Sequence, residues 1–203
     1  MTWASFTAFV AATTVLCIVP GPAVLLVVSE ALGHGSAKAV WSILGIIAGG
    51  TAWFALSATG IGALLLASGK LFMAIKWGGI VYLLWLGVRS FLRKPQRGGI
   101  QEAHGTAKGG KLFAAGFVLQ MGNPGVLVFF VAFLPQFLDA HAPLIPQLAI
   151  LALASAAIEF AVQFGYALLA EPIRRLGPRF VTWGERTAGV MLVALGLAMA
   201  ARS

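Results

Sequence analysis

Charged side chains are scarce in this sequence. Asp and Glu together number 6 among 203 residues, and all charged residues make up 10% of the chain. A soluble domain carries about a quarter of its residues as charges. With 60% hydrophobic residues, a water-exposed globular fold of this length is excluded. Cysteine occurs once, as Cys17, so neither an internal disulfide nor a two-cysteine redox relay can form. His34, His104 and His141 are scattered, and no His, Cys or acid cluster has ligand spacing. No metal site and no other cofactor is predicted. Nor does the chain alternate polar and apolar residues as membrane strands do, which excludes a barrel. The opening Met1-Thr2-Trp3 has no basic segment. A cleaved signal peptide is therefore not expected, and the first apolar run stays in the mature chain.

What the chain has in quantity is long apolar runs. Spans of roughly 20 residues cross a bilayer, and the candidates are 3–32, 39–66, 71–92, 112–138, 144–170 and 181–201. The last is the weakest, because its uncharged part starts only at Thr187. The fold class is all-α: a polytopic membrane protein of six transmembrane helices, a single transmembrane domain over 1–203. The Gly-rich, basic segment 93–111 joins two half-repeats of three spans each, about 1–92 and 112–203. Laying Pro22 on Pro124 sets PGPAVLLVV over NPGVLVFFV at nearly the same offset. With an odd number of spans per half, the second half enters from the opposite face. That makes an inverted repeat, a common plan for secondary transporters; chance likeness between apolar helices is the alternative.

A net charge of +8 invites a nucleic-acid partner, but the basic residues lie in loops between apolar spans. That is where a membrane protein keeps them, so membrane lipids are the expected surroundings and no nucleic acid is expected. Lys38, Arg89, Arg93, Lys94, Arg97, Lys108, Lys111, Arg174, Arg175, Arg179 and Arg186 fall on one side, against Lys70, Lys76 and Arg202 on the other. The odd loops are therefore expected in the cytoplasm and both termini outside. Trp3, Trp41 and Trp183 near span ends suit interfacial anchors.

The first and fourth helices are predicted to be broken. Proline lacks a backbone N–H and its ring collides with the carbonyl four residues back. Pro20 therefore frees the carbonyl of Leu16, Pro22 frees that of Ile18, and Gly21 adds backbone freedom. A second break is expected at Asn123-Pro124-Gly125, where Asn is a good N-cap and Pro suits the first helical position. Half-helices starting there would present free N–H groups and a partial positive charge inside the membrane, fit for a substrate carboxylate. Kinks that merely aid packing are the competing reading.

Glu159 is the one acid deep inside a span, where a charge costs roughly 2.5 kcal/mol or more. Ser155, Gln163 and Tyr166 share its helical face. That face can bind a substrate amine or carry a proton, or the Glu can simply be satisfied in a helix contact. Gln120, one turn before Pro124, is either a substrate contact or a hydrogen bond between helices. Glu30, Asp139, Glu171 and Glu185 near span ends read as solvated or ion-paired caps. Gly45 and Gly49 form a GxxxG step, with Gly50 adjacent. Such a step serves packing within one bundle or between two copies, which leaves a homodimer open.

The residues VPGPAVLLVVSEALGHGSAKAVWSILGIIAGG, GGIVYLLWLGVRSF and NPGVLVFFVAFLPQF, in that order, with Gly189 and Gly196 in the last helix, resemble the lysine-exporter superfamily. The likeness is to its threonine and homoserine-lactone efflux branch and covers nearly the whole chain. The resemblance implies export of amino acids or close derivatives across a bacterial inner membrane, driven by the proton gradient. It carries onto Pro20, Gly21, Pro22, Asn123, Pro124, Pro135 and Gln136. One departure stands out: where the family has Lys after Asn-Pro, this chain has Gly125.

The sequence thus predicts a secondary exporter of a small amino-acid-like substrate. The residues expected at its site are Pro20, Gly21, Pro22, Gln120, Asn123, Pro124, Gln163 and Tyr166, with Glu159 as the proton-coupling candidate. A membrane-embedded enzyme needs a nucleophile with its base, or paired acids, at membrane depth. The chain offers only Cys17 and one deep Glu. A non-transporting structural or sensory membrane protein would not need paired helix breaks.

Overall fold

The computed structural model describes residues 1–67, 108–123, 126, 129–139 and 142–176, with single positions at 77, 81, 84, 85, 88, 103, 180, 182, 183, 186, 187, 190, 193, 194 and 197. The predicted spans 71–92 and 181–201 and the connecting segment 93–111 fall largely outside these residues. So do Pro124, Gly125, His104, His141 and Glu185. All regular structure among the described residues is helical.

The first apolar run forms two helices, α1 (Trp3–Ile18) and α2 (Pro22–His34), bent by 56° at the Pro20-Gly21 break. Thr2 caps α1, its hydroxyl accepting from the Ser5 N–H at 3.1 Å. The connection to α3 (Ser36–Ala67) is the single residue Gly35, whose φ of +88° is a conformation that favours glycine. The fourth predicted span is interrupted. Helix α4 (Gly109–Met121) ends in a turn at Gly122 and Asn123, and the chain resumes as a π-helical turn (Phe129–Phe133) and a 3₁₀ turn (Leu134–Phe137). Helix α5 (Leu144–Leu168) and the short α6 (Ala170–Leu176) follow. The Ser36–Ala58 part of α3 and the whole of α5 are each long and apolar enough to cross a membrane, as is the bent α1–α2 pair taken as one span. Outward residues such as Ile145, Leu153 and Val118 are apolar and exposed, as a lipid-facing surface requires.

Glycines let α3 and α4 touch backbone to backbone. A Cβ added at Gly45 would run into the Phe113 carbonyl, and one added at Gly116 into the Ser42 carbonyl. At Gly49 it would lie 2.8 Å from Gln120 Cβ. The GxxxG step is therefore used inside the bundle.

Two apolar clusters form the core. One gathers Phe9, Phe54, Phe130, Phe133, Leu134, Phe137 and Leu151; the other gathers Val24, Val27, Val28, Ile43, Ile46, Ala167 and Ile173 among others. Each long element contributes to both. Between its two contributions, each carries its irregular or polar residues: the 19–21 break in α1–α2, Gly50 and Thr51 in α3, and Glu159 in α5.

Of the acids expected near helix ends, the three among the described residues are paired. The Glu30 carboxylate lies 2.8 Å from His34 Nδ1, the Asp139 carboxylate 3.5 Å from the Met1 amine, and the Glu171 carboxylate 2.7 Å from Arg174 Nη2. The Arg174 hydrogen bond holds the exposed Glu171 carboxyl below its ordinary range. The link into α5 is fastened by buried Gln147. Its Oε1 accepts from the Asp139 N–H at 2.8 Å, and its Nε2 donates to the carbonyls of Asp139, Ala142 and Pro143 at 3.0–3.1 Å. Gln147→Leu orphans these backbone groups and is expected to cost about 2–3 kcal/mol in a detergent melt.

Candidate functional site

Glu159 sits on α5 midway between Leu151 of one cluster and Ala167 of the other. Its Oε1 accepts a hydrogen bond from Gln120 Nε2 at 3.2 Å, across the helix pair α4 and α5. The sequence positions 39 residues apart are thus brought together, and Gln120 makes its contact with a side chain of a neighbouring helix. The other oxygen, Oε2, faces Gly50: the place a Cβ would occupy there lies 3.3 Å from it and 3.5 Å from Gln120 Nε2.

Glu159 lines a half-open recess of about 240 Å³, its mouth included, together with Ile47, Gly50, Thr51, Phe54, Phe130, Ala152, Ser155 and Ala156. The walls are apolar except for two hydroxyls and the carboxyl. No Lys, Arg or His lines it among the described residues. The enclosed space has room for about one water molecule. A single neutral amide donor is a weak partner for a carboxylate in such surroundings, which suits the group to hold a proton or to pair with a cation.

Towards the α1–α2 break, α5 carries Gln163 and Tyr166 on the same face. Gln163 is 3% exposed, and its Oε1 has no partner among the described residues. Thr13 on α1, also buried, has an Oγ1 in the same condition. Tyr166 donates its hydroxyl to the Ile18 carbonyl. That carbonyl is the one Pro22 strips of its helical partner, so the α1 end of the break gains a partner from α5. On the other side, Gly21 precedes α2 without any side-chain cap, and a Cβ at Gly21 would meet nothing within 4 Å. Pro20, Gly21 and Pro22 do not line the recess. Asn123 follows α4, its carbonyl accepting from the Val126 N–H at 3.2 Å. Its neighbour Pro124, the other residue expected at that break, lies outside the described residues.

Tyr166→Phe deprives the Ile18 carbonyl of this donor and is expected to lower stability by about 0.5–1.5 kcal/mol, read from thermal melts in detergent.

Sequence reasoning assigned Gly50 to packing beside the GxxxG step and gave no role to Thr51 or Phe130, all of which line the recess. For Gly50 a signal existed. One residue on from Gly49 is a turn of about 100° around the helix, so Gly50 cannot share the α4-facing stripe of Gly45 and Gly49. Phe130 lies in a π-helical turn, whose direction a 3.6-residue period does not reveal.

Comparison with known proteins places these features in context. The pattern of the LysE type translocator family matches residues 14–203. An uncharacterized membrane protein of Vibrio cholerae is 29% identical over 195 residues, 95% of each chain. A homoserine/homoserine lactone efflux protein of Salmonella typhimurium is 29% identical over 205 residues, 98% of each chain. A leucine efflux protein of an Enterobacter species is 30% identical over 138 residues, 68% of this chain and 65% of that one. No solved structure matches.

Proposed function

The chain belongs to the LysE type translocator family, and from that premise we propose that it exports amino acids or related small metabolites through the membrane of a bacterium, driven by the proton gradient. It is a translocator, not an enzyme. The observation that carries the mechanistic part is the Glu159 carboxyl. It lies between two apolar clusters, one oxygen bonded to Gln120 and the other facing a recess with no cationic side chain among its lining residues.

In this proposal Glu159 takes either the substrate ammonium or a proton, and the two compete for the same oxygen. Competition for one site is what makes inward proton movement drive outward substrate movement. The uncapped start of α2 receives the substrate carboxylate, since its leading N–H groups carry the positive end of the helix dipole. Gln163 Oε1, buried and unpartnered among the described residues, adds an acceptor on the α5 face towards the break. The recess has room for about one water, so loading needs a wider conformation. The hinge of the proposed motion is the break at Pro20-Gly21, around which two halves of three spans rock. The basic loops lie in the cytoplasm and both termini outside; a reporter fused to the C-terminus and lighting up in the cytoplasm would overturn that orientation.

The experiment is direct. Purified protein in liposomes, loaded with labelled threonine, homoserine or leucine, is given a proton gradient. Export against the substrate gradient that collapses with a protonophore supports the proposal. If none of the three moves under either condition, it fails.

A further inference from the structure

Five glycines of α3 and α4 stand near a helix neighbour: Gly109 lies against the Trp41 ring, and among the other four Gly50 differs from the rest. At Gly45, Gly49 and Gly116 an added Cβ meets the backbone or the Cβ of the facing helix at less than contact distance. Those positions are glycine because two helices lie against each other. At Gly50 an added Cβ meets no backbone. Its nearest atoms are the Glu159 Oε2 at 3.3 Å and the Gln120 Nε2 at 3.5 Å, the functional ends of two side chains. Glycine in mid-helix weakens the helix relative to alanine. No facing backbone requires the missing side chain there, and Gly50 is part of the recess wall.

We propose that Gly50 is the size filter of the site: its bare backbone leaves open the approach to Glu159 Oε2, and the room it gives sets how large a substrate side chain can enter beside Phe54 and Phe130. This rests on the exporter reading of the recess. Because Oε1 is taken by Gln120, Oε2 is the oxygen left for an incoming ammonium. A methyl group at position 50 would stand 3.3 Å from it, slightly closer than ordinary contact, so the carboxylate end would have to give way. The other walls, Ile47, Phe54, Phe130, Ala152 and Ala156, are apolar and give the side chain a dry seat. One methylene of excess bulk in such a pocket is worth about tenfold or more in discrimination.

The test compares Gly50→Ala with Gly45→Ala and the unaltered protein. Each is melted in detergent, and each is assayed in liposomes for export of alanine, threonine, homoserine and leucine. The expected result is that Gly50→Ala melts at or above the unaltered protein, whereas Gly45→Ala melts clearly lower. Gly50→Ala lowers export of all four, because its methyl group crowds Oε2, and lowers leucine export relative to alanine by about tenfold or more. The inference is overturned if Gly50→Ala melts as low as Gly45→Ala or fails to fold, since glycine is then a packing requirement. It is equally overturned if the ratio of leucine to alanine export stays as in the unaltered protein. Should the unaltered protein export none of the four, the exporter reading itself is what fails, and the size filter falls with it.

Discussion

Glu159→Gln is expected to reduce proton-driven export by about a hundredfold or more while the protein stays folded. The substitution is nearly isosteric, and the new side chain's oxygen can still accept from Gln120 Nε2, now 3.2 Å from the carboxylate. What disappears is the ability to hold a cation. If the carboxylate binds the substrate ammonium, losing one partner of a buried charge pair costs about 2–5 kcal/mol, from tens-fold to thousands-fold in binding. If instead it only carries the proton, substrate exchange across the liposome without a gradient survives and accumulation alone is lost. The two assays together separate the roles. A third result, accumulation at the unaltered rate, would remove Glu159 from the mechanism and return it to the class of acids satisfied in helix contacts. Gln120→Leu provides the counterpart. It strips Oε1 of the Gln120 donor without changing charge, and the expected effect on accumulation is smaller than that of Glu159→Gln.

How far the sequence foretold this arrangement depends on whether the cause was local. The Pro20-Gly21-Pro22 break is local chemistry, because a missing N–H and a ring clash act within four residues, and the 56° bend is found there. Glu159 was legible as exceptional from its depth in an apolar run. Its helical face, with Ser155, Gln163 and Tyr166, follows from a 3.6-residue period. The contacts that give the face meaning are not local. Nothing in the sequence says that the carbonyl freed by Pro22 is met by Tyr166, 148 residues away from Ile18. Nor does it say that Gln120 reaches Glu159 rather than the break beside it. Both depend on which helices become neighbours, and apolar helices in a bilayer have no strong pattern to announce a partner. The chain over 129–137 is hardest of all. Its π-helical and 3₁₀ turns follow neither helical nor strand period, so Phe130 came to the recess unannounced.

The glycine seam between α3 and α4 should show the largest loss of stability of any single change. Gly45→Ala places a methyl group on the Phe113 carbonyl and 2.9 Å from the Phe117 amide nitrogen; Gly116→Ala places one on the Ser42 carbonyl and 3.0 Å from the Ile46 nitrogen. Neither neighbour is the far end of a flexible side chain that can swing aside. Both are helix backbone, so the two helices must part. Overpacking of this kind costs about 1–3 kcal/mol and occasionally more, and here each variant is expected at or above the upper figure. Because the same movement relieves both clashes, the double variant should cost less than the sum of the singles. Helices already pushed apart by one methyl group have room for the second. Melts of the four proteins in one detergent give that cycle. Full additivity would mean that the two contacts yield independently, and that α3 and α4 do not behave as one rigid pair. A rigid pair matters for transport, because the seam holds Gly49 against Gln120 Cβ at the level of the Glu159 hydrogen bond. Parting the helices should therefore also loosen the Gln120–Glu159 contact, and the seam variants that still fold should lose accumulation as well as heat resistance.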